Sequence, residues 1–234
     1  MNERKEKVKL ALKELFNKYK DEGIISIYLY GSITGQDFNA DSSDIDTIVV
    51  AEQKLSLDME DEMKEFLSKR FSEIPRFGVR ILYLDELNLM ESSQKSKLTF
   101  FIPAKILLSD FPYWELVSGK KFTTSDFPEI SSQDLIKSTY NVLTQWDWEK
   151  IDNVSDEKVE NYMKVIARIL WSVDLHQGKK YKFSYSSISD RDDKYKAIAD
   201  LISESKKKGW EAIFFLDNKD IFQSFVDDIK NTYT

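Results

Sequence analysis

Hydrophobic positions along the first part of the chain alternate between two periods. From Glu6 to Lys20, Val8, Leu12, Leu15, Phe16 and Tyr19 recur at intervals of three and four, which places one apolar stripe on a helix. Asp21-Glu22-Gly23 stops it, and the β-branched and aromatic run Ile24 to Tyr30 predicts a buried strand. A Gly-Ser turn and a polar loop lead to a second strand, Ile45 to Ala51. Met59, Met63, Phe66 and Leu67, set among charged residues, predict an amphipathic helix from Asp58 to Phe71. Pro75 breaks the chain before a third strand, Val79 to Leu84. This order predicts a mixed α/β sheet with helices packed on it.

Beyond Asp85 the pattern changes. Asn88 to Thr99 is polar, and Phe100 to Leu108 is an apolar run that fits a strand or a helix equally. Residues 111–132 are rich in aromatics, Gly, Pro, Ser and Thr and read as a connection between domains. From Gln133 onward the spacing is helical, with one stripe on Leu135, Thr139, Val142, Leu143 and Trp146 and another on Val159, Tyr162, Met163, Ile166, Ile169, Leu170 and Val173. Tyr195, Ile198, Ala199 and Ile202 form a third stripe, and Ile221, Phe222, Phe225, Val226 and Ile229 a fourth. Each stripe needs a partner, so an all-α bundle is expected over residues 133–234, after an α/β domain over residues 1–110. No internal repeat is evident.

Composition narrows the chemistry. The 234 residues contain no cysteine and one histidine, His176, which removes disulfides, thiol nucleophiles and multi-histidine metal sites. The opening Met-Asn-Glu-Arg-Lys-Glu-Lys carries no apolar core of a leader, and no run approaches the ~20 apolar residues of a membrane span, so a cytoplasmic protein is expected. The formal net charge of −7 disfavours broad contact with a phosphodiester backbone and suits a small or cationic partner.

Against that background one stretch carries candidate chemistry. Gly31 allows backbone to approach a phosphate closely, and Ser32 offers its hydroxyl and N–H to the same site. Eleven residues separate Ser32 from Asp44, and Asp44 and Asp46 flank Ile45 in a strand, so their carboxylates project from one face. Two carboxylates side by side repel, and a divalent cation relieves that repulsion; Mg²⁺ is held through one or two carboxylates together with substrate phosphates. An Asp-x-Asp pair alone is ordinary surface decoration, but the combination of strand, Gly-Ser, spacer and Asp-x-Asp is much rarer.

At these residues the chain resembles the DNA polymerase β-like nucleotidyltransferase superfamily, whose signature is Gly-Ser, a spacer, and Asp-x-Asp or Asp-x-Glu. Ser43-Asp44-Ile45-Asp46, followed by a helical second half, looks most like the aminoglycoside adenylyltransferases of the streptomycin/spectinomycin type. Ala167-Arg168-Ile169-Leu170-Trp171 and Gly178-Lys179-Lys180-Tyr181-Lys182 are similar to that family's arginine and lysine segments, and Lys208-Gly209-Trp210 to a segment near its nucleotide. The resemblance implies transfer of a nucleoside monophosphate, AMP from ATP, to a hydroxyl of a small acceptor such as an aminoglycoside-type antibiotic. It implies Mg²⁺ on Asp44 and Asp46, and a nucleotide held by Gly31, Ser32, Ser43, Arg168, Lys182 and Trp210.

One departure stands out. The family has a third carboxylate on the next strand, proposed as general base, whereas Phe77 to Leu84 carries none and places Val79 or Arg80 where it is expected. Glu73, Asp85 and Glu86 flank that strand, and Asp147 and Glu149 in the second half are alternative bases. The same departure admits a nucleotide-binding protein with impaired catalysis, regulatory or antitoxin-like. Seven residues separate Arg168 from His176, longer than the four to six of the HEPN ribonuclease Arg-His motif, so His176 reads as a helix-end polar residue.

Overall fold

The structure, a computed structural model, describes residues 2–35, 44–53, 55–56, 58–71, 77–85, 104–144, 154–179 and 184–234. The chain divides into two compact units, Met1–Glu129 and Ile130–Thr234.

In the first unit, helix α1 (Asn2–Tyr19) leads into strand β1 (Ile24–Tyr30), and strand β2 (Ile45–Ala51) returns antiparallel beside it. Helix α2 (Met59–Arg70) then crosses to strand β3 (Phe77–Tyr83), which runs parallel to β2. Helix α3 (Ala104–Ser109) settles the ambiguous apolar run as helical where it is described, and strand β4 (Glu115–Gly119) pairs antiparallel with β1. Among the described residues the sheet order is β3-β2-β1-β4.

One face of this sheet is closed by α1 and α2. Val8, Leu12 and Leu15 from the first helix and Met63 and Leu67 from the second bury against Ile27, Leu29, Ile45, Val49, Val79 and Ile81, all essentially inaccessible. The spacing of three and four along each helix meets the spacing of two along each strand, which is why these residues and not their neighbours form the core. The other face carries Tyr28, Tyr30, Asp46, Ile48, Gly78 and Arg80. Tyr28 packs there against Trp114 and Phe111, at centroid distances of 5.7 and 6.2 Å. Its hydroxyl donates to the Lys120 carbonyl (3.2 Å) and accepts from the Phe122 N–H (2.9 Å). Burial pushes the Tyr28 phenol up from its ordinary value, so it keeps the proton it donates.

This arrangement corrects the reading of residues 111–132 as a connection. Glu115–Gly119 is an edge strand of the sheet, and Phe111, Trp114, Phe122 and Phe127 are buried. The strand is short, and its alternation is masked by Glu115, which faces the helix side and pairs with Lys9 of α1 at 2.7 Å. Gly119 explains the glycine in the segment: with φ of 91° it passes so close to β1 that a Cβ there would lie 2.1 Å from the Ile25 carbonyl oxygen. The third strand also begins two residues earlier than expected, at Phe77.

The second unit is helical among its described residues. Helices α4 (Ser132–Thr144), α5 (Asp156–His176), α7 (Lys196–Lys207) and α9 (Lys219–Tyr233) carry the four expected stripes among the described residues, Tyr195 standing just before α7 and Trp146 lying outside the described residues, with short helices α6 (Tyr185–Ser189) and α8 (Ala212–Asp217) between them. Ser155 caps α5 by accepting from the Lys158 N–H. Of the fourth stripe, Phe222, Phe225, Val226 and Ile229 are buried, whereas Ile221 is 44% exposed and lies off the stripe. No helix among the described residues is long and apolar enough to cross a membrane.

Candidate functional site

The turn after β1 is built to present backbone. Gly31 takes φ of 74°, a left-handed conformation that favours glycine, and opens a single 3₁₀ turn over Gly31–Thr34. Thr34 Oγ1 donates to the Gly31 carbonyl and the Gly35 N–H donates to the Ser32 carbonyl, both at 2.9 Å. Ile33 is only 4% exposed and plugs the turn into the core on the helix side, which fixes Gly31 and Ser32 at the end of the sheet.

Asp46 lies directly beside that turn. It pairs with Tyr30 of β1 on one side and with Gly78 of β3 on the other. Its carboxylate sits between two glycines. A Cβ on Gly31 would stand 3.0 Å from Asp46 Oδ2, and one on Gly78 would stand 2.3 Å from Oδ1. Both carboxylate oxygens are therefore packed against positions without side chains. Asp44 precedes the strand by one residue, and both aspartates are half-buried.

The register shows what β3 sets beside Asp46. The residue across from Asp46 is Gly78, not Val79 or Arg80. Val79 faces the opposite side, fully buried under the helices, and could not reach the aspartates whatever its identity. Arg80 shares the Asp46 face but pairs with Ile48, one row further along. Sequence reading missed Gly78 because parity along one strand does not reveal which residue of a neighbour lies opposite. The close approach of a glycine to a carboxylate is visible only with the pairing in hand.

The donor set fits a hard divalent cation: two carboxylates at alternate positions beside a turn rich in backbone groups, with no sulfur or imidazole. Among the described residues no third His, Cys, Asp or Glu joins them in a metal-sized cluster. Asp85 follows β3 in an exposed turn. Ser43, Glu73, Glu86, Asp147, Glu149 and Lys182 lie outside the described residues.

In the second unit, Arg168 is half-buried on α5, its guanidinium 5.1 Å from the Trp171 ring. Trp210 adopts φ of 65°, strained for a bulky residue, because its N–H donates to the Ser205 carbonyl (2.9 Å) to close the end of α7. Its ring lies 5.8 Å from that of Tyr185, over which Lys206 Nζ sits at 4.2 Å. Arg168 and Trp210 thus have different aromatic neighbours. His176 ends α5, exposed, with Nδ1 3.1 Å from Ser132 Oγ and its ring edge-on to Tyr233, as the sequence predicts for a helix-end residue.

Comparison with known proteins gives two findings. Residues 5–97 match the family model of the nucleotidyltransferase domain. The fold is similar to that of the spectinomycin adenyltransferase AAD(9) from Enterococcus faecialis, whose crystal structure holds ATP and spectinomycin: TM-score 0.53, 15% identity, 86% of this chain and 88% of that chain covered. At that identity the likeness speaks for the fold. No curated protein matches the sequence.

Proposed function

We propose, from a chain whose first unit is a nucleotidyltransferase domain resembling those of the aminoglycoside adenylyltransferases, that the protein moves AMP from ATP onto a hydroxyl of a small acceptor of the aminoglycoside type. The observation that carries this reading is the Asp46 carboxylate held between Gly31 and Gly78, next to Asp44 and the Gly-Ser turn. Asp44 and Asp46 would hold Mg²⁺, which when bound neutralises charge on phosphoryl oxygens. Gly31 and Ser32 take the phosphates through backbone N–H groups, and the second unit's family-like segments support contact of Arg168 and Lys182 with the triphosphate and of Trp210 with the adenine. The acceptor oxygen forms a bond to the α-phosphorus, the α–β bridging bond breaks, and pyrophosphate leaves with the electron pair. The acceptor's proton passes to a base from outside β3, with Asp147 and Glu149 as the candidates.

The test is Mg²⁺-dependent pyrophosphate release from ATP over a panel of acceptors that includes spectinomycin and streptomycin. Turnover with at least one acceptor is expected, and the double substitution Asp44→Asn, Asp46→Asn is expected to abolish it. Full activity in that double variant overturns the assignment.

A second reading, nucleotide binding without turnover, is favoured by Gly78, since β3 offers no carboxylate to the site. General-base assistance is worth about 10²- to 10⁴-fold, so its loss slows transfer while positioning remains. ATP binding by calorimetry with no pyrophosphate release on any acceptor selects this reading over the first.

A further inference from the structure

Register arranges the Asp46 face of the sheet in rows. Tyr30, Asp46 and Gly78 form one row, and Tyr28, Ile48 and Arg80 the next. By the spacings of a parallel pair the Arg80 and Asp46 Cα atoms are about 8 Å apart on the diagonal, within reach of an arginine side chain. The same-face neighbour of Arg80 toward the aspartates is Gly78, so β3 puts no side chain between the guanidinium and the carboxylate.

Arg80 is half-buried, and its Nε is fully buried with no hydrogen-bond partner. No ion pair to it is found among the described residues; Arg70 and Arg191, by contrast, are both paired with carboxylates. A guanidinium is charged at every accessible pH, and a buried donor without an acceptor is a cost that an arriving anion removes. Its planar fork matches phosphate oxygens better than a point charge does.

We infer that Arg80 is a phosphate-binding residue beside the aspartate pair, taking an oxygen of the polyphosphate chain. The strand that contributes a third negative charge in the resembling family contributes a positive one here. The nucleotide identity of the ligand rests on the reading above; the anion site does not. Part of the phosphate affinity is therefore independent of metal.

The experiment is binding of inorganic tripolyphosphate to the full chain in EDTA, alongside Mg²⁺–ATP binding and pyrophosphate release. Arg80→Met keeps the apolar stem and removes the charge. It is expected to weaken tripolyphosphate binding in EDTA by about tenfold or more, the scale of one charge-assisted contact, without lowering the melting midpoint. Arg80→Lys is expected to retain an intermediate affinity, and Asp44→Asn, Asp46→Asn to retain or tighten metal-free binding. Wild-type affinity in folded Arg80→Met overturns the inference, as does the absence of tripolyphosphate binding by the wild type. Arg80-dependent binding without transfer on any acceptor refutes the transferase reading and leaves the anion site standing. Transfer by the wild type, together with wild-type affinity of folded Arg80→Met in both binding assays, does the reverse.

Discussion

The two glycines around Asp46 are constrained for different reasons, and that difference can be measured. Gly31 has a left-handed backbone and a 3.0 Å approach to Asp46 Oδ2, so Gly31→Ala meets both strain and crowding. A loss of about 1–2 kcal/mol of stability is expected from the backbone, together with a loss of Mg²⁺-dependent turnover. Gly78 has no such backbone demand, but a Cβ there would come within 2.3 Å of Asp46 Oδ1. Gly78→Ala should therefore displace the carboxylate, cutting turnover while moving the urea midpoint less than Gly31→Ala does. Equal destabilisation by both, with turnover intact in Gly78→Ala, would remove the cradle from the account. The grouping of Gly31, Ser32, Asp44 and Asp46 was legible in the sequence because it follows from local spacing: a glycine at a turn and a period of two along one strand. Gly78 and Arg80 were not, because their meaning comes from the register of β3 against β2, set by how α2 carries the chain across the helix face.

Among the elements, α5 carries a buried ion pair that no periodicity announced. Asp174 is fully buried and Arg191 is 3% exposed, yet Arg191 Nη2 donates to Asp174 Oδ1 at 2.9 Å. Arg191 also donates from Nε and Nη2 to Asp193, each at 2.8 Å, and Lys179 reaches Asp174 at 2.9 Å. This network pins the segment after α6 to the middle of the second unit. Arg191→Met removes the buried guanidinium from Asp174 and should cost about 3 kcal/mol, near the low end for a broken buried pair. The hydrogen bonds from Arg191 hold the Asp193 carboxyl below its ordinary value. A depressed carboxyl stabilises the folded state fully above its unfolded value, about 3.9, and that contribution is lost as pH falls through the folded value. The stability gap between wild type and Arg191→Met in urea should thus be full at pH 7 and shrink below about pH 4; a gap independent of pH would mean the charges do not carry it. An aspartate in an otherwise apolar stretch looks like a helix-surface charge, because its partner lies seventeen residues away beyond α6. The edge strand β4 was hidden in a similar way: its aromatic neighbours cover the sheet, which in sequence resembles a linker rich in Phe, Tyr, Trp, Gly and Pro.

At the scale of the whole molecule, the two units divide the proposed work. Metal and phosphate positions fall in Met1–Glu129, and Arg168, Lys182 and Trp210 fall in Ile130–Thr234. Nothing in the periodicity of either half ties Arg168 to the nucleotide; only its place in a segment similar to the family's suggests it. Its guanidinium already has a structural use over Trp171, so a fall in activity alone would not decide its role. Two readouts separate the cases. If Arg168 acts only by packing, Arg168→Ala should lower the thermal midpoint by an amount worth roughly 1 kcal/mol, as for a cation–π contact, and leave the KM for ATP unchanged in the folded fraction. If it also binds nucleotide, the KM for ATP should rise by about tenfold or more with the acceptor KM unaltered, and Arg168→Lys should recover part of it. The second outcome is expected here.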